Sequence, residues 1–230
     1  MGAYGLDVLY EDNHLLAVSK PAGLATMGTP AGKPSLLEVA RQYVKTRYGK
    51  PGNVYLGIVS RLDAPVTGVV VLARTSKAAR RLTEQFRAKA VQKTYWALVE
   101  GTVRPATGGY VDWVGHDERH RKMRIVGRTL PGAKEARLSY RRLQEVDDAA
   151  ACATLLELEI ETGRKHQIRL QLAHHGHPVL GDRKYGSRRT FPAGIALHAL
   201  RLAIYHPISG DVLELESRLP DPWSEYGVNR

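Results

Sequence analysis

The chain has 230 residues, 43% of them apolar and 25% charged, with a formal net charge of +11. That is the composition of a globular protein with room for a substantial core, and no stretch approaches the roughly 20 apolar residues of a membrane helix. The lone Cys152 excludes an internal disulfide and a Cys-based metal cluster, while the surplus of cations suits a polyanion, most simply nucleic acid.

Leu6 to Tyr10 and Leu15 to Ser19 read as two strands joined by the polar turn Glu11-Asp12-Asn13, and Lys20-Pro21-Ala22-Gly23 ends the second. After a loop rich in Gly and Pro, Leu36, Leu37, Ala40, Tyr43, Val44 and Tyr48 share one helical face, with Ser35 as N-cap. Val69 to Ala73 is short, apolar and largely β-branched, which predicts a buried strand. Ser76 to Ala88 is expected to be a helix whose inner face holds Ala79, Leu82 and Phe86. Lys93 to Val99 alternates as a strand, with Tyr95, Ala97 and Val99 on one side. Gly108 to Gly132 is less regular and includes the basic cluster Arg119 to Arg124. Ala136 to Glu145 and Ala151 to Glu161 read as paired strands around Asp147-Asp148, and Ile168 to His175 as a helix stopped by Gly176 and Pro178. Leu197 to Tyr205 and Val212 to Leu215 supply further short elements. With no repeat, long linker or regular βαβ alternation, the expected fold is α+β in a single domain over 1–230.

Two stretches carry chemistry. In Val59-Ser60-Arg61-Leu62-Asp63-Ala64-Pro65-Val66-Thr67-Gly68, a loop carboxylate precedes a core strand, so a reactive group is held out by a rigid element. An ordinary turn Asp before a proline is the competing reading. In Glu161 to Arg169, a Thr-Gly turn is followed by Arg164, Lys165, His166 and Arg169, a cationic patch that suits phosphate. Arg169, between Ile168 and Leu170, is expected to be partly buried and therefore to need an anion. Asp63 is one candidate, and a structural acid such as Glu159 or Asp182 is the other.

Five motifs in order resemble the RluA-type pseudouridine synthases. Tyr10 to Gly23 is similar to that family's "DxxxxxVxKPxG" opening, Ser60 to Gly68 to "HRLDxxTSG", and Lys93 to Val99 to "KxYxAxV". Thr162 to Arg169 is similar to "TGRxHQIR", and His177 to Gly186 to "HPxxGDxxYG". The resemblance implies an enzyme without metal or other cofactor that isomerises uridine to pseudouridine in structured RNA, rRNA or tRNA. It also implies a mixed, mainly antiparallel central sheet with helices around it and an RNA cleft across it. By the same match Asp63 is the essential carboxylate, acting as nucleophile or base. Arg169 keeps it charged and aimed, and Tyr95 lies against the uracil face. Arg61 fills the gap left when the uridine flips out, with Arg164, Lys165 and His166 as further RNA contacts. Two positions depart from the pattern: Ser60 stands where the family has His, and Val66-Thr67 where it has Thr-Ser.

The chain starts directly with the catalytic pattern, so no separate N-terminal RNA-binding domain is expected. Its first residues lack the basic start and apolar run of a signal peptide. The expectation is a cytoplasmic monomer that engages RNA and no membrane. The main rival is an inactive RNA-binding protein of the same fold, motivated by Ser60 and Val66. A zinc hydrolase is disfavoured, because His166, His174, His175 and His177 include no pair at i, i+4 and no His-Glu-x-x-His is present.

Overall fold

The computed structural model describes the chain apart from residues 1–4, 31, 119–121, 149–150 and 229–230. In chain order its elements are β1 (Asp7–Glu11), β2 (Leu15–Lys20), α1 (Leu36–Arg47), β3 (Gly57–Ile58), β4 (Thr67–Ala73), α2 (Ser76–Arg87), β5 (Gln92–Glu100), β6 (Thr107–Asp117), β7 (Lys122–Val126), β8 (Lys134–Asp148), β9 (Ala151–Ile160), α3 (Gln167–His174), β10 (Leu197–Tyr205) and β11 (Val212–Glu216). Two compact units are built from them. One takes Met1–Gln92 and Ala199–Leu219, the other Lys93–His198 and Pro220–Arg230. The expected α+β class holds.

In the first unit the strand order is β1-β2-β4-β10, with β3 on β4 and β11 on β10. β2 and β4 are antiparallel, Leu15 opposite Ala73 and Lys20 opposite Gly68. Both strands carry continuous apolar runs, Leu15 to Val18 and Val69 to Ala73, because both faces are covered. Leu15, Ala17, Val69 and Val71 join Ala78 and Leu82 of α2 and Leu202, Ile204 and Leu215 on one side. Leu16, Val18, Val70 and Leu72 pack with Leu36, Ala40 and Val44 of α1 on the other. Ser35 caps α1 as expected, with a reciprocal bond from its own N–H to Glu38 at 2.7 Å, an arrangement that contributes roughly 1 kcal/mol. Tyr48, placed on the inner helical face by its spacing, is instead 45% exposed. It follows the last helical residue and lies against the Arg74 guanidinium, 4.4 Å from its ring centroid.

The second unit is an antiparallel sheet in the order β5-β9-β8-β6-β7. The region read as irregular forms β6 and β7. Its alternation is hard to see because three glycines dilute β6 and a core-facing position is a carboxylate. Asp112 is 9% exposed and accepts from Gln171 Nε2 at 2.8 Å, with His175 Nε2 at 3.2 Å. The His175 ring stacks on Tyr110 at 3.7 Å, so this imidazole belongs to packing. Of the basic cluster, Lys122 and Arg124 lie on β7, and residues 119–121 lie outside the described residues. No helix is long and apolar enough to cross a membrane, among the described residues.

Candidate active site

Asp63 lies on the loop between β3 and β4, half-buried, with Arg61 exposed two residues earlier. The residues on either side of it are fastened. Thr26 Oγ1 donates to Leu62 O at 2.9 Å and accepts from Leu62 N at 3.1 Å. Ala64 O accepts from Gly23 N at 2.9 Å, and Val66 N closes a turn onto Asp63 O at 3.1 Å. The loop then enters β4 through Gly68, whose φ is +114°. A Cβ there would overlap the Ala199 carbonyl and sit 2.6 Å from Ala199 N, so only glycine admits this approach of β4 to β10. The strand fixes one end of the loop and the turn at residues 21–26 fixes its middle.

Lys20 joins these parts. It ends β2 and is fully buried, at 0% exposure. Its ammonium donates to Pro21 O and Leu24 O at 2.8 Å and to Ala64 O at 3.1 Å, one carbonyl for each proton. Burial pushes its pKa from 10.5 down to about 7, and the opposing influence is the negative charge of Asp63. A buried cation thus acts on the carboxylate while holding the peptide after it. The Lys-Pro-Ala-Gly segment is legible as a motif, but the burial of its lysine is not, because lysine is rarely fully buried.

The second unit carries the other cluster. Arg169 is 5% exposed on α3, as its apolar neighbours foretold. Its guanidinium forks onto Asp182, Nε to Oδ2 at 2.6 Å and Nη2 to Oδ1 at 2.9 Å, so the structural acid named as its alternative partner is one it holds. The Tyr185 ring lies 5.1 Å from the same guanidinium, and Tyr185 Oη is 2.7 Å from His166 Nδ1. His166 has a φ of 58°, in the left-handed region at the start of α3, a conformation that costs about 1–3 kcal/mol and is kept by its surroundings. Those surroundings include Gln167, which is 4% exposed. Its Oε1 accepts from Thr162 Oγ1 at 2.7 Å and Arg164 N at 3.0 Å, and its Nε2 donates to Arg137 O at 2.9 Å. Arg164 Nε is tied to Glu135 O at 2.7 Å, and Lys165 is exposed. Tyr95 lies on β5 opposite Leu158, half-buried. Tyr185 and Gln167 were named only within motif matches and given no role by sequence reasoning, since their importance lies in contacts made after folding.

The sequence profile of RNA pseudouridylate synthases matches residues 14–174, a span that includes Asp63, Tyr95 and Arg169. The chain belongs to the RluA-type family of RNA pseudouridine synthases. It is 35% identical over 237 residues to ribosomal large subunit pseudouridine synthase D of Yersinia pestis, covering 96% of this chain and 69% of that protein. It is 34% identical over 233 residues to tRNA pseudouridine synthase C of Pectobacterium carotovorum, covering 95% of this chain and 60% of that protein. Among solved structures it is similar to human RNA pseudouridylate synthase domain containing 4, with a TM-score of 0.78 and 26% identity over 96% of this chain and 91% of that one. Within this synthase, the departure at Val66 has a local explanation. Val66 is 3% exposed next to the buried start of β4, so an apolar side chain fits there. Ser60 is half-buried, and nothing in the structure explains its replacement of the usual histidine.

Proposed function

We propose that this pseudouridine synthase isomerises particular uridines in rRNA or tRNA, with Asp63 as the carboxylate on which the reaction depends. The observation that carries the reading is the clamp on the Asp63 loop: Thr26 holds Leu62 and Lys20 holds Ala64, leaving Asp63 between two fixed peptides. A carboxylate held in place is what attack or proton removal at a single nucleoside requires. The reaction breaks the bond from the ribose to the uracil nitrogen and rejoins the ribose to carbon 5, so atoms are conserved and no oxidant or reductant is consumed. Tyr95 takes the uracil face, Arg169 favours the ionised form of the carboxylate, and Arg61 occupies the space left by the flipped nucleotide. Arg164, Lys165 and His166 contact the RNA. The relatives named for ribosomal and transfer RNA motivate the substrate class, and the working form is a cytoplasmic monomer in which residues 1–230 act as one catalytic domain.

The test is Asp63→Asn, which keeps size but removes the charge. Pseudouridine mapping in rRNA and tRNA from cells lacking the protein, complemented with parent or variant, should show sites restored by the parent alone. The purified variant should still bind RNA and melt like the parent. Restoration of those sites by Asp63→Asn would overturn the assignment and favour an RNA-binding protein with a structural turn at 63.

A further inference from the structure

The segment following Asp182 contains four basic residues, Arg183, Lys184, Arg188 and Arg189, and none of them matches a motif position used above. It is tied down from inside. Glu100, the last residue of β5, turns one carboxylate oxygen into the loop, where it accepts from Ser187 Oγ at 2.7 Å, Arg188 N at 2.9 Å and Arg189 N at 3.1 Å. Although burial alone would raise the Glu100 pKa, these bonds hold it below the ordinary carboxylate range. Ser187 is 6% exposed and accepts from Gly181 N at 3.2 Å. Gly181 N also donates to Arg189 O at 3.2 Å. Beyond the loop, Phe191 is 7% exposed and packs edge-on to Trp223 at 5.8 Å.

Two acids beside these cations already have partners, and of the four cations Arg189 is one whose charge acts on Glu100. Asp182 is held by Arg169, and Glu100 is taken up by a hydroxyl and two backbone N–H groups. Arg183, Lys184 and Arg188 are exposed, and no ion pair reaches them among the described residues. The Tyr185 hydroxyl, 2.7 Å from His166, links the same loop to the segment carrying Arg164 and Lys165. A loop built for solvation alone has no need of a half-buried carboxylate fixing its backbone. A loop that grips a polyanion gains from it, because ordering that precedes binding lowers the entropic cost of association.

We infer that residues 183–189 form a preorganised platform for the RNA sugar–phosphate backbone, with Glu100 as its positioning residue. The inference rests on the RNA reading above and adds to it cations at unspecified positions of the last motif, Arg183 and Lys184, and just beyond it, Arg188 and Arg189. Deproteinised ribosomal RNA and bulk tRNA serve as probes, with affinity measured from low to high KCl. The triple variant Arg183→Ala, Lys184→Ala, Arg188→Ala should flatten the slope of log affinity against log salt by about 2 to 3, since each phosphate contact contributes about 0.7 to 0.9. Glu100→Ala discriminates by sign. Removal of a negative charge alone strengthens RNA binding, whereas loss of a positioning residue weakens it several-fold. Glu100→Gln, which keeps an acceptor, should restore most of that loss and shows whether the fold survives at this position. A parental slope retained by the triple variant would refute the platform and leave the synthase reading intact. Tighter binding by Glu100→Ala would refute the positioning role. A parent that binds neither RNA yet forms pseudouridine elsewhere would refute the platform alone, and a parent that neither binds nor modifies RNA would remove both.

Discussion

Replacing Lys20 by Met separates stability from positioning, because losses and gains offset each other in the first and not in the second. Met nearly matches the length and shape of the buried stem and removes only the ammonium. Three carbonyls, Pro21, Leu24 and Ala64, then lose a charged donor, at roughly 1.5–3 kcal/mol each. Against this, a buried ammonium is itself costly. Its fall in pKa from 10.5 to about 7 corresponds to roughly 5 kcal/mol that the variant no longer bears. The terms are of similar size, so stability near neutral pH should change by no more than about 4 kcal/mol. Turnover has no such offset. The Ala64 peptide loses a tether, and Asp63 loses the cation acting on it. A reacting group displaced by about 1 Å loses on the order of 100-fold in rate, and a 10- to 100-fold fall in single-turnover pseudouridine formation with unchanged RNA affinity is expected. A pH signature accompanies it. Between about pH 7 and 10.5 the folded parent holds fewer protons at Lys20 than the unfolded chain does, so this group's contribution to stability rises with pH, by up to about 1.4 kcal/mol per unit. It is fully present above the unfolded pKa and is lost as pH falls through the folded one. Denaturant titrations across this range should show the Met variant lacking that rise. Parental turnover in Lys20→Met, or an identical pH slope in both proteins, would refute the reasoning.

Gly68→Ala should destabilise by on the order of 4 kcal/mol, since the new methyl meets the Ala199 backbone and a positive φ together; a melting temperature equal to the parent's would disprove the close approach. Arg169→Met should cost about 3–5 kcal/mol by leaving Asp182 buried without its partner. Adding Asp182→Leu should recover most of that stability in denaturant titrations but none of the turnover. Recovered turnover in the double variant would limit Arg169 to a structural role.

The parts of the fold that were legible in the sequence are those where side-chain period and burial agree. β2, β4 and α1 announce themselves because continuous apolar runs and a helical stripe match two-sided and one-sided burial. β6 does not, because Asp112 occupies an inward position and is satisfied by Gln171 and His175, residues distant in the chain. The same limit applies at the candidate site. Asp63 stands out because a lone carboxylate precedes a core strand. Most of the partners that give Lys20, Gln167 and Glu100 their importance are backbone groups, and a carbonyl or N–H has no letter in the sequence.

The close approach of Gly68 to Ala199 joins positions 131 residues apart. Ser19 Oγ and Ser217 Oγ meet at 2.8 Å, and His206 Nε2 reaches Asp12 at 2.9 Å. The unit that bears Asp63 is thus interrupted by the whole stretch from Lys93 to His198 and closed only by Ala199–Leu219. During synthesis the ribosome makes the larger piece of this unit first and its closing strands more than a hundred residues later. Contacts of such high sequence separation form slowly. A nascent chain must therefore wait, with β4 lacking its neighbour β10, until residues 197–205 have emerged. The end of the Asp63 loop at Gly68 therefore gains its backbone neighbour Ala199 only late in synthesis, after the whole stretch from Lys93 to His198 has been made.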